Sequence, residues 1–215
     1  MIRILLVDDH AVVRTGYRRL VESEPDMTVL AEAATADEAY GRVVAGGVDV
    51  AVVDLSLRDS SGIDAIRRMN ARNPALGIIV LSMHDGAGFV MQAMRAGALG
   101  YLTKRCEPDE MLAGIRAVAA GRRYLSGEVA QCLAGASLEG EQLLQRLTPR
   151  EFEVLRMAAA GAAAETIAER MHLSPKTILN HLSAIRRKLD ADNDFALMHL
   201  AARHGLVRLD QAVGA

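Results

Sequence analysis

The sequence predicts an α/β domain, a doubly wound five-stranded parallel sheet, followed by a small all-α domain of four short helices. Three observations carry this. Residues 1–121 alternate short apolar, β-branched runs with amphipathic helical stretches, five times over. Two of those runs, Ile2–Val7 and Val50–Val53, lead straight into carboxylates, Asp8-Asp9 and Asp54. Strands buried on both faces deliver polar groups to the carboxyl edge of a parallel sheet in this way. From Leu147 onward the strand pattern stops and helix caps take over.

Taken in order, residues 2–7 form a strand, and 12–21 a helix with Val12, Val13, Tyr17, Leu20 and Val21 on one side. A short strand over 28–31, a helix over 37–44 and the central strand over 48–54 follow. Residues 63–69 are a helix stopped by Pro74, 77–82 an apolar strand, and 89–95 a helix closed by Gly97. The fifth strand covers 99–104 and the fifth helix 107–119, with Gly121 just past its end. Residues 122–146 break the pattern. Small residues and weak periodicity make them a linker with local helix over 128–133, or a disordered joint between independent domains. The predicted division is therefore 1–121, 122–146 and 147–215.

In the last part Thr148-Pro149-Arg150-Glu151 is a capping box, and its helix ends at Gly161. Ile167, Ala168 and Met171 mark a second, short helix. Ser174 caps a third that buries Ile178, Leu182, Ile185 and Leu189 and shows Lys176, Asn180, Ser183, Arg186 and Arg187 to solvent. Residues 193–203 form a fourth, ended by His204-Gly205. The second and third meet across Met171-His172-Leu173-Ser174, which is helix-turn-helix spacing.

At 51% hydrophobic and 24% charged the chain has ordinary globular composition. Cys106 and Cys132 are too few for a disulfide scaffold and have no metal-ligand spacing, which points to a reducing cytosol. No run nears the ~20 apolar residues of a membrane span, and no secretory signal is visible. A cytoplasmic location is expected. The net charge of −2 divides into −3 over residues 1–121 and +1 over 147–215, a low value for a nucleic-acid-binding half.

If the first and third strands are neighbours, Asp8, Asp9 and Asp54 crowd one crevice, and protonation or a bound cation must relieve their repulsion. Ser82 and Lys104 close two further strands that point the same way. A carboxylate cluster suits Mg²⁺. A cation, a hydroxyl and an ammonium around one carboxylate form a receptor for a phosphoryl group, with Asp54 as the nucleophile that becomes an acyl phosphate. Singly, each feature is ordinary. An Asp pair after a strand is usually a loop, a lysine a solvated tip, and His10 and His84 read as loop residues rather than ligands. Their joint placement singles the group out, although a metal-dependent phosphohydrolase would use the same groups.

Asp8-Asp9, Asp54, Ser82 and Tyr101-Leu102-Thr103-Lys104, at these intervals, resemble the receiver domain of two-component response regulators over about residues 1–121. The resemblance implies phosphotransfer to Asp54 from a sensor histidine kinase. It implies Mg²⁺ held by Asp8, Asp9, Asp54 and the backbone carbonyl of Ser56, with Ser82 and Tyr101 as a switch pair and Lys104 at the phosphoryl group. It implies no enzyme beyond the receiver's own phosphorylation and dephosphorylation. One departure stands out: the family usually has Met-Pro shortly after the acceptor, and here the residues are Leu57-Arg58. The loop is looser and carries a charge, so an altered phosphate lifetime is expected.

Leu147 through Glu151, Glu153-Val154-Leu155, Ala160-Gly161, Ile167-Ala168, Leu173 through Ile178, His181-Leu182 and Ile185 through Leu189 resemble the four-helix DNA-binding domain of NarL/FixJ (LuxR-type) regulators. The resemblance spans about residues 147–208. It implies that the helix from Pro175 enters the major groove, with Leu179, Asn180 and Ser183 facing bases and Lys176, Thr177 and Arg187 reaching phosphates. Ser82-Met83-His84-Asp85 and Thr103-Lys104-Arg105-Cys106 further resemble the hexose-phosphate-uptake branch of that family. Three departures weaken the interface: Leu179 where a basic residue is usual, Ala163-Ala164 for a polar Ser-Asn helix start, and Asp194 where a basic residue is common. DNA binding is therefore expected to be weak per monomer and to depend on pairing. Arg186-Arg187-Lys188 serves phosphates or is a solvated helix face. Phe195, Leu197, Met198, Leu200 and Ala201 either pack the core or make a dimer contact.

The expectation is a response regulator that controls transcription at promoter DNA and pairs as a homodimer on phosphorylation, with RNA polymerase a further candidate partner. The alternative is a phosphorylation-dependent regulator whose helical domain mainly binds a protein partner. Leu179 and the two alanines favour that alternative.

Overall fold

The computed structural model describes residues 1–57, 61–136, 144–203 and 206. Arg58, residues 137–143 of the expected linker, His204-Gly205 and residues 207–215 lie outside the described residues. Contacts gather the chain into two units, Met1–Asp85 with Ala93–Gln131, and Gly86–Gln92 with Cys132–Ala215.

The five expected strands are β1 (Ile2–Val7), β2 (Met27–Ala33), β3 (Val50–Val53), β4 (Gly77–Ser82) and β5 (Gly100–Thr103). All are parallel, in the order β2-β1-β3-β4-β5, and every residue of β3, β4 and β5 is buried. Runs covered on both faces need no alternation, which is why they read as continuous apolar stretches. A sixth strand, β6 (Tyr124–Leu125), extends the sheet by pairing Gly100 with Tyr124 and Tyr101 with Leu125. Two residues have no period to read, so edge pairing rather than sequence pattern reveals it.

The helices along the chain up to residue 136 are α1 (Ala11–Glu22), α2 (Ala36–Ala45), α3 (Gly62–Arg72), α4 (Ala87–Ala96), α5 (Pro108–Ala119) and α6 (Gly127–Ala136). One core cluster joins Ile4, Leu6, Val50, Val52, Ile79, Leu81 and Leu102 of the sheet to Val21 of α1 and Met111, Ile115 and Val118 of α5. Val12, expected on the inner side of α1, is instead 86% exposed. It stands 100° round the helix from Val13, and the stripe through Val13, Tyr17, Leu20 and Val21 fills the inner face without it. Gly121 adopts φ +70° after α5, the left-handed cap that its position predicts.

Sheet order fixes the site. The chain leaves β1 for β2 on one side and returns to β3 on the other, so the loops after β1 and β3 part at a topological switch point. Val7 pairs with Val53, and the Asp54 N–H donates to the Val7 carbonyl at 2.8 Å. Asp8 and Asp54 therefore leave the sheet on adjacent strands at matching height.

The helical half contains α7 (Pro149–Ala159), α8 (Ala164–Met171), α9 (Pro175–Leu189) and α10 (Asp194–Arg203) after a 3-10 turn at Leu144–Arg146. Phe152, Leu155, Ile167, Ile178, Ile185, Leu189, Leu197 and Ala201 are buried, and Leu182, expected among them, is half-buried. The capping box forms as read: Thr148 Oγ1 accepts from the Glu151 N–H at 3.3 Å, and Glu151 Oε2 accepts from the Thr148 N–H at 2.7 Å. Lys188 Nζ donates to the same Oε2 at 2.6 Å. The turn between α8 and α9 begins at His172, whose φ of +52° is left-handed.

Two stability predictions follow from these caps. Ala163, the N-cap of α8, offers no side-chain acceptor, so Ala163→Ser should raise stability by about 1 kcal/mol in urea unfolding. Burial pushes the Glu151 carboxyl up, but hydrogen bonds from Lys188 and Thr148 outweigh it and leave the pKa below the usual glutamate value. A depressed folded-state pKa stabilises above the unfolded value, about 4.3, and that stabilisation is lost as pH falls through the folded value. Glu151→Gln should therefore cost about 1–2 kcal/mol at neutral pH, with the gap to wild type closing below about pH 4 in pH-dependent melts.

Candidate functional site

At the carboxyl edge of the sheet Lys104, the residue after β5, donates from Nζ to Asp8 Oδ2 at 2.7 Å and to Asp54 Oδ2 at 2.8 Å. Both carboxylates are buried, at 3% and 4% exposure. Desolvation pulls the ammonium's pKa down, but hydrogen bonds and Coulomb attraction from Asp54 and Asp8 outweigh it and hold the value above that of an ordinary lysine. The Lys104 N–H donates to the Ser82 carbonyl at 2.8 Å, which ties the ends of β4 and β5 together. Asp54 Oδ1 accepts from the Ser56 N–H at 3.1 Å. That bond turns the loop back on the acceptor candidate.

Asp8, Asp9 and His10 offer donor atoms that all lie within 4.8 Å of one another. From the sequence alone His10 reads as a loop residue. In the structure its Nδ1 stands 2.7 Å from Asp9 Oδ1 and 3.2 Å from Asp8 Oδ1, and its N–H donates to Asp8 Oδ1 at 2.8 Å.

Ser82 and Tyr101 are fully buried. Ser82 Oγ accepts from the His84 N–H at 3.2 Å, and Tyr101 donates its hydroxyl to the His84 carbonyl at 2.6 Å. The His84 ring lies 3.3 Å from Ser56 Oγ. His84, also read as a plain loop residue, thus touches Ser56, Ser82 and Tyr101; the Ser-x-His spacing after β4 was the available signal. Gly62, at the start of α3, was missed as well. A Cβ there would sit 2.4 Å from the Asp54 carbonyl oxygen and 2.5 Å from Leu55 Cα, so only glycine lets α3 abut the acceptor loop. The Cys106 thiol does not compete for this chemistry: burial with nearby Glu110 pushes its pKa up to about 11.

On α9, Lys176, Asn180, Ser183 and Arg187 are exposed and lie within about 60° of one another round the helix. Leu179, 55% exposed, flanks them. Thr177 is half-buried, its Oγ1 2.8 Å from Ser174 Oγ, which accepts from the Thr177 N–H and caps the helix. The three basic residues at the carboxyl end separate. Lys188 is held by Glu151, Arg186 donates to Asp194 Oδ1 at 3.2 Å, and Arg187 has no ion pair among the described residues. A groove of about 390 Å³ lined by Ser183, Arg186, Arg187, Asp190, Ala191 and Asp192 closes this end of α9. On α10, Phe195 is 82% and Met198 36% exposed, whereas Leu197 and Ala201 are buried. The helix thus has both a core face and an uncovered apolar face.

An acidic crevice at the switch point of a doubly wound sheet, joined in one chain to a helix-turn-helix, defines a class. The chain belongs to the response regulators: residues 4–116 match the response regulator receiver domain, and residues 145–201 match the bacterial regulatory proteins of the luxR family. It is a two-component regulator of transcription with a LuxR-type DNA-binding domain. It is similar to the transcriptional regulatory protein UhpA of Salmonella typhimurium (strain LT2), 40% identical over 199 residues, 93% of this chain and 97% of that one. It is also similar to the response regulator UvrY of Escherichia coli (strain K12), 35% identical over 209 residues and 96% of each chain. Among solved structures, RcsB from Salmonella enterica serovar Typhimurium, bound to promoter P1flhDC in the presence of phosphomimetic BeF3-, is 26% identical. It covers 94% of this chain and 98% of its own, with a TM-score of 0.72. A LuxR-family two-component response regulator from Aurantimonas sp. SI85-9A1 is 44% identical over 64% of this chain and 98% of its own, with a TM-score of 0.62. Nothing in the fold or in these relatives supports a helical half that mainly binds protein.

The Arg186–Asp194 pair yields a test. Asp194→Asn frees Arg186 for a phosphate, and should tighten binding to a mixed-sequence DNA duplex and steepen the salt dependence by about 0.9 in log K against log salt. In the Arg186→Gln background the same substitution should leave the slope unchanged. Fluorescence anisotropy across a salt series reads both.

Proposed function

We propose that Asp54 accepts a phosphoryl group from a sensor histidine kinase, and that this modification governs promoter binding by the helical half. The observation that supports it best is the Lys104 ammonium bonded at once to Asp8 and Asp54, at the ends of three separate strands. In the transfer a carboxylate oxygen of Asp54 attacks phosphorus, the O–P bond forms, the donor's N–P bond breaks, and the leaving imidazole takes a proton. Lys104 offsets charge on the phosphoryl oxygens. The Ser82 hydroxyl keeps its own hydrogen to donate there, since its oxygen only accepts from His84. Tyr101, anchored on the His84 carbonyl, and Ser82 form the switch pair.

The donor set fits Mg²⁺: Asp8, Asp9 and Asp54 carboxylates with the Ser56 carbonyl are hard oxygens, and Asp8 and Asp9 already crowd one another. The ion would add positive charge beside the phosphoryl oxygens. The chain's chemistry is confined to its own phosphorylation and dephosphorylation.

In this reading residues 1–121 are the receiver, 122–146 the connecting segment and 147–215 the DNA-binding domain. Lys176, Thr177 and Arg187 meet phosphates, and Leu179, Asn180 and Ser183 meet base edges. Phe195 and Met198 form a dimer contact that aligns two α9 helices on half-sites. RcsB, whose solved structures include dimers on DNA, lends support. RNA polymerase is the remaining partner, and the cytoplasm the location; no helix among the described residues is long and apolar enough to cross a membrane.

Incubation with radiolabelled acetyl phosphate and Mg²⁺ tests the acceptor. Wild type should take up at most one phosphoryl group per chain and stop, and Asp54→Asn none. Sustained hydrolysis of a phosphate ester such as p-nitrophenyl phosphate, with no label left on Asp54, would instead mark a phosphohydrolase. Sizing chromatography with beryllofluoride should shift wild type, but not Asp54→Asn, to a dimer.

A further inference from the structure

Helix α6 lies beyond the stretch that matches the receiver domain, which ends at residue 116, yet it returns to the acceptor site. Glu128, in its first turn, touches both chain neighbours of Lys104. Its Oε2 accepts from Thr103 Oγ1 at 3.1 Å, and its Oε1 accepts from Arg105 Nη2 at 2.7 Å. The same Arg105 nitrogen donates to Asp85 Oδ2 at 2.7 Å. The helix is itself seated on β5: β6 pairs with that strand, and the Ser126 N–H donates to the Tyr101 carbonyl at 3.2 Å. Thr103 is buried, so its hydroxyl needs a partner, and the carboxylate that supplies one comes from a different element.

We propose that Glu128 is a positioning residue for phosphoryl transfer to Asp54. By holding Thr103 and Arg105 it fixes the end of β5, and with it the point from which the Lys104 ammonium reaches Asp54. This rests on the acceptor reading above and carries it further, because part of the connecting segment becomes a support of the acceptor site. Lysine reaches its target over a flexible four-carbon stem, so a displaced anchor is felt at the ammonium. Coupling is reciprocal: whatever redirects Lys104 at the acceptor must be felt at α6.

The test uses the full chain with acetyl phosphate and Mg²⁺, following single-turnover labelling of Asp54. There the carboxylate oxygen attacks phosphorus, the P–O bond to the acetyl group breaks and acetate leaves. Glu128→Ala and Thr103→Val should each slow labelling roughly three- to ten-fold. The double variant should be no slower than the slower single one, because both remove the same bond. Glu128→Gln, which keeps an acceptor for Thr103, should recover most of the rate. Hydrogen exchange at the α6 amides should change when beryllofluoride and Mg²⁺ are added to wild type, and stay unchanged in Glu128→Ala.

Labelling of Glu128→Ala at the wild-type rate overturns the proposal, as do multiplying effects in the double variant or equal slowing by Ala and Gln. Labelling of Asp54→Asn as fast as wild type is a different result. It removes the acceptor reading itself, and this inference with it.

Discussion

The receiver half depends on one interaction, a single ammonium shared by two buried carboxylates. Two like charges about 4 Å apart repel by about 4 kcal/mol at an effective dielectric near 20, and burial sharpens the conflict. Lys104 reverses the sign by bonding Asp8 and Asp54 together. Because the three residues end three strands, the sheet order β1-β3-β4-β5 is part of the electrostatics. The strands that end in these charges are largely apolar, Arg3 of β1 and Thr103 of β5 excepted, and they deliver the charges to one edge of the sheet. In the proposed reading this arrangement would suit a group that receives a dianionic phosphoryl moiety: the positive charge is already in place, and incoming oxygens would compete with carboxylates for it.

Much of this was legible in the sequence. Short apolar runs marked the strands, and the polar residues that end four of them marked the crevice, because a parallel sheet sends all its strand ends to one edge. The Thr148–Glu151 cap was readable to the atom. What escaped depends on tertiary placement. β6 is too short to have a period, Val12 looked apolar enough to be buried, and His10 and His84 are single residues whose partners come from the fold. Glu128 was unreadable for the same reason, as nothing in a weakly helical stretch marks one carboxylate as the partner of a threonine 25 positions earlier.

The helical half shows how far local pairing decides what a surface can do. Counting Arg186, Arg187 and Lys188 as one basic patch overstates it. Lys188 holds the start of α7, Arg186 is engaged by Asp194, and Arg187 has no ion pair among the described residues. With Leu179 among the exposed residues, α9 offers fewer charged donors than its composition suggests. In the proposed reading, sequence preference would lean on apolar contact with thymine methyls and on the pairing of two copies.

The close approach at Gly62 limits how the acceptor loop can rearrange. Behind Asp54 stands main chain, which cannot swing aside as a side chain can. In front are Ser56, Ser82, His84 and Lys104, whose contacts are made by rotatable groups and loop segments. In the proposed reading a modified carboxylate would find its compliant direction outward through the β4 and β5 ends, with the close approach at Gly62 as a rigid wall. Directionality in the signal would be a property of this wall, set by the missing side chain of a single glycine.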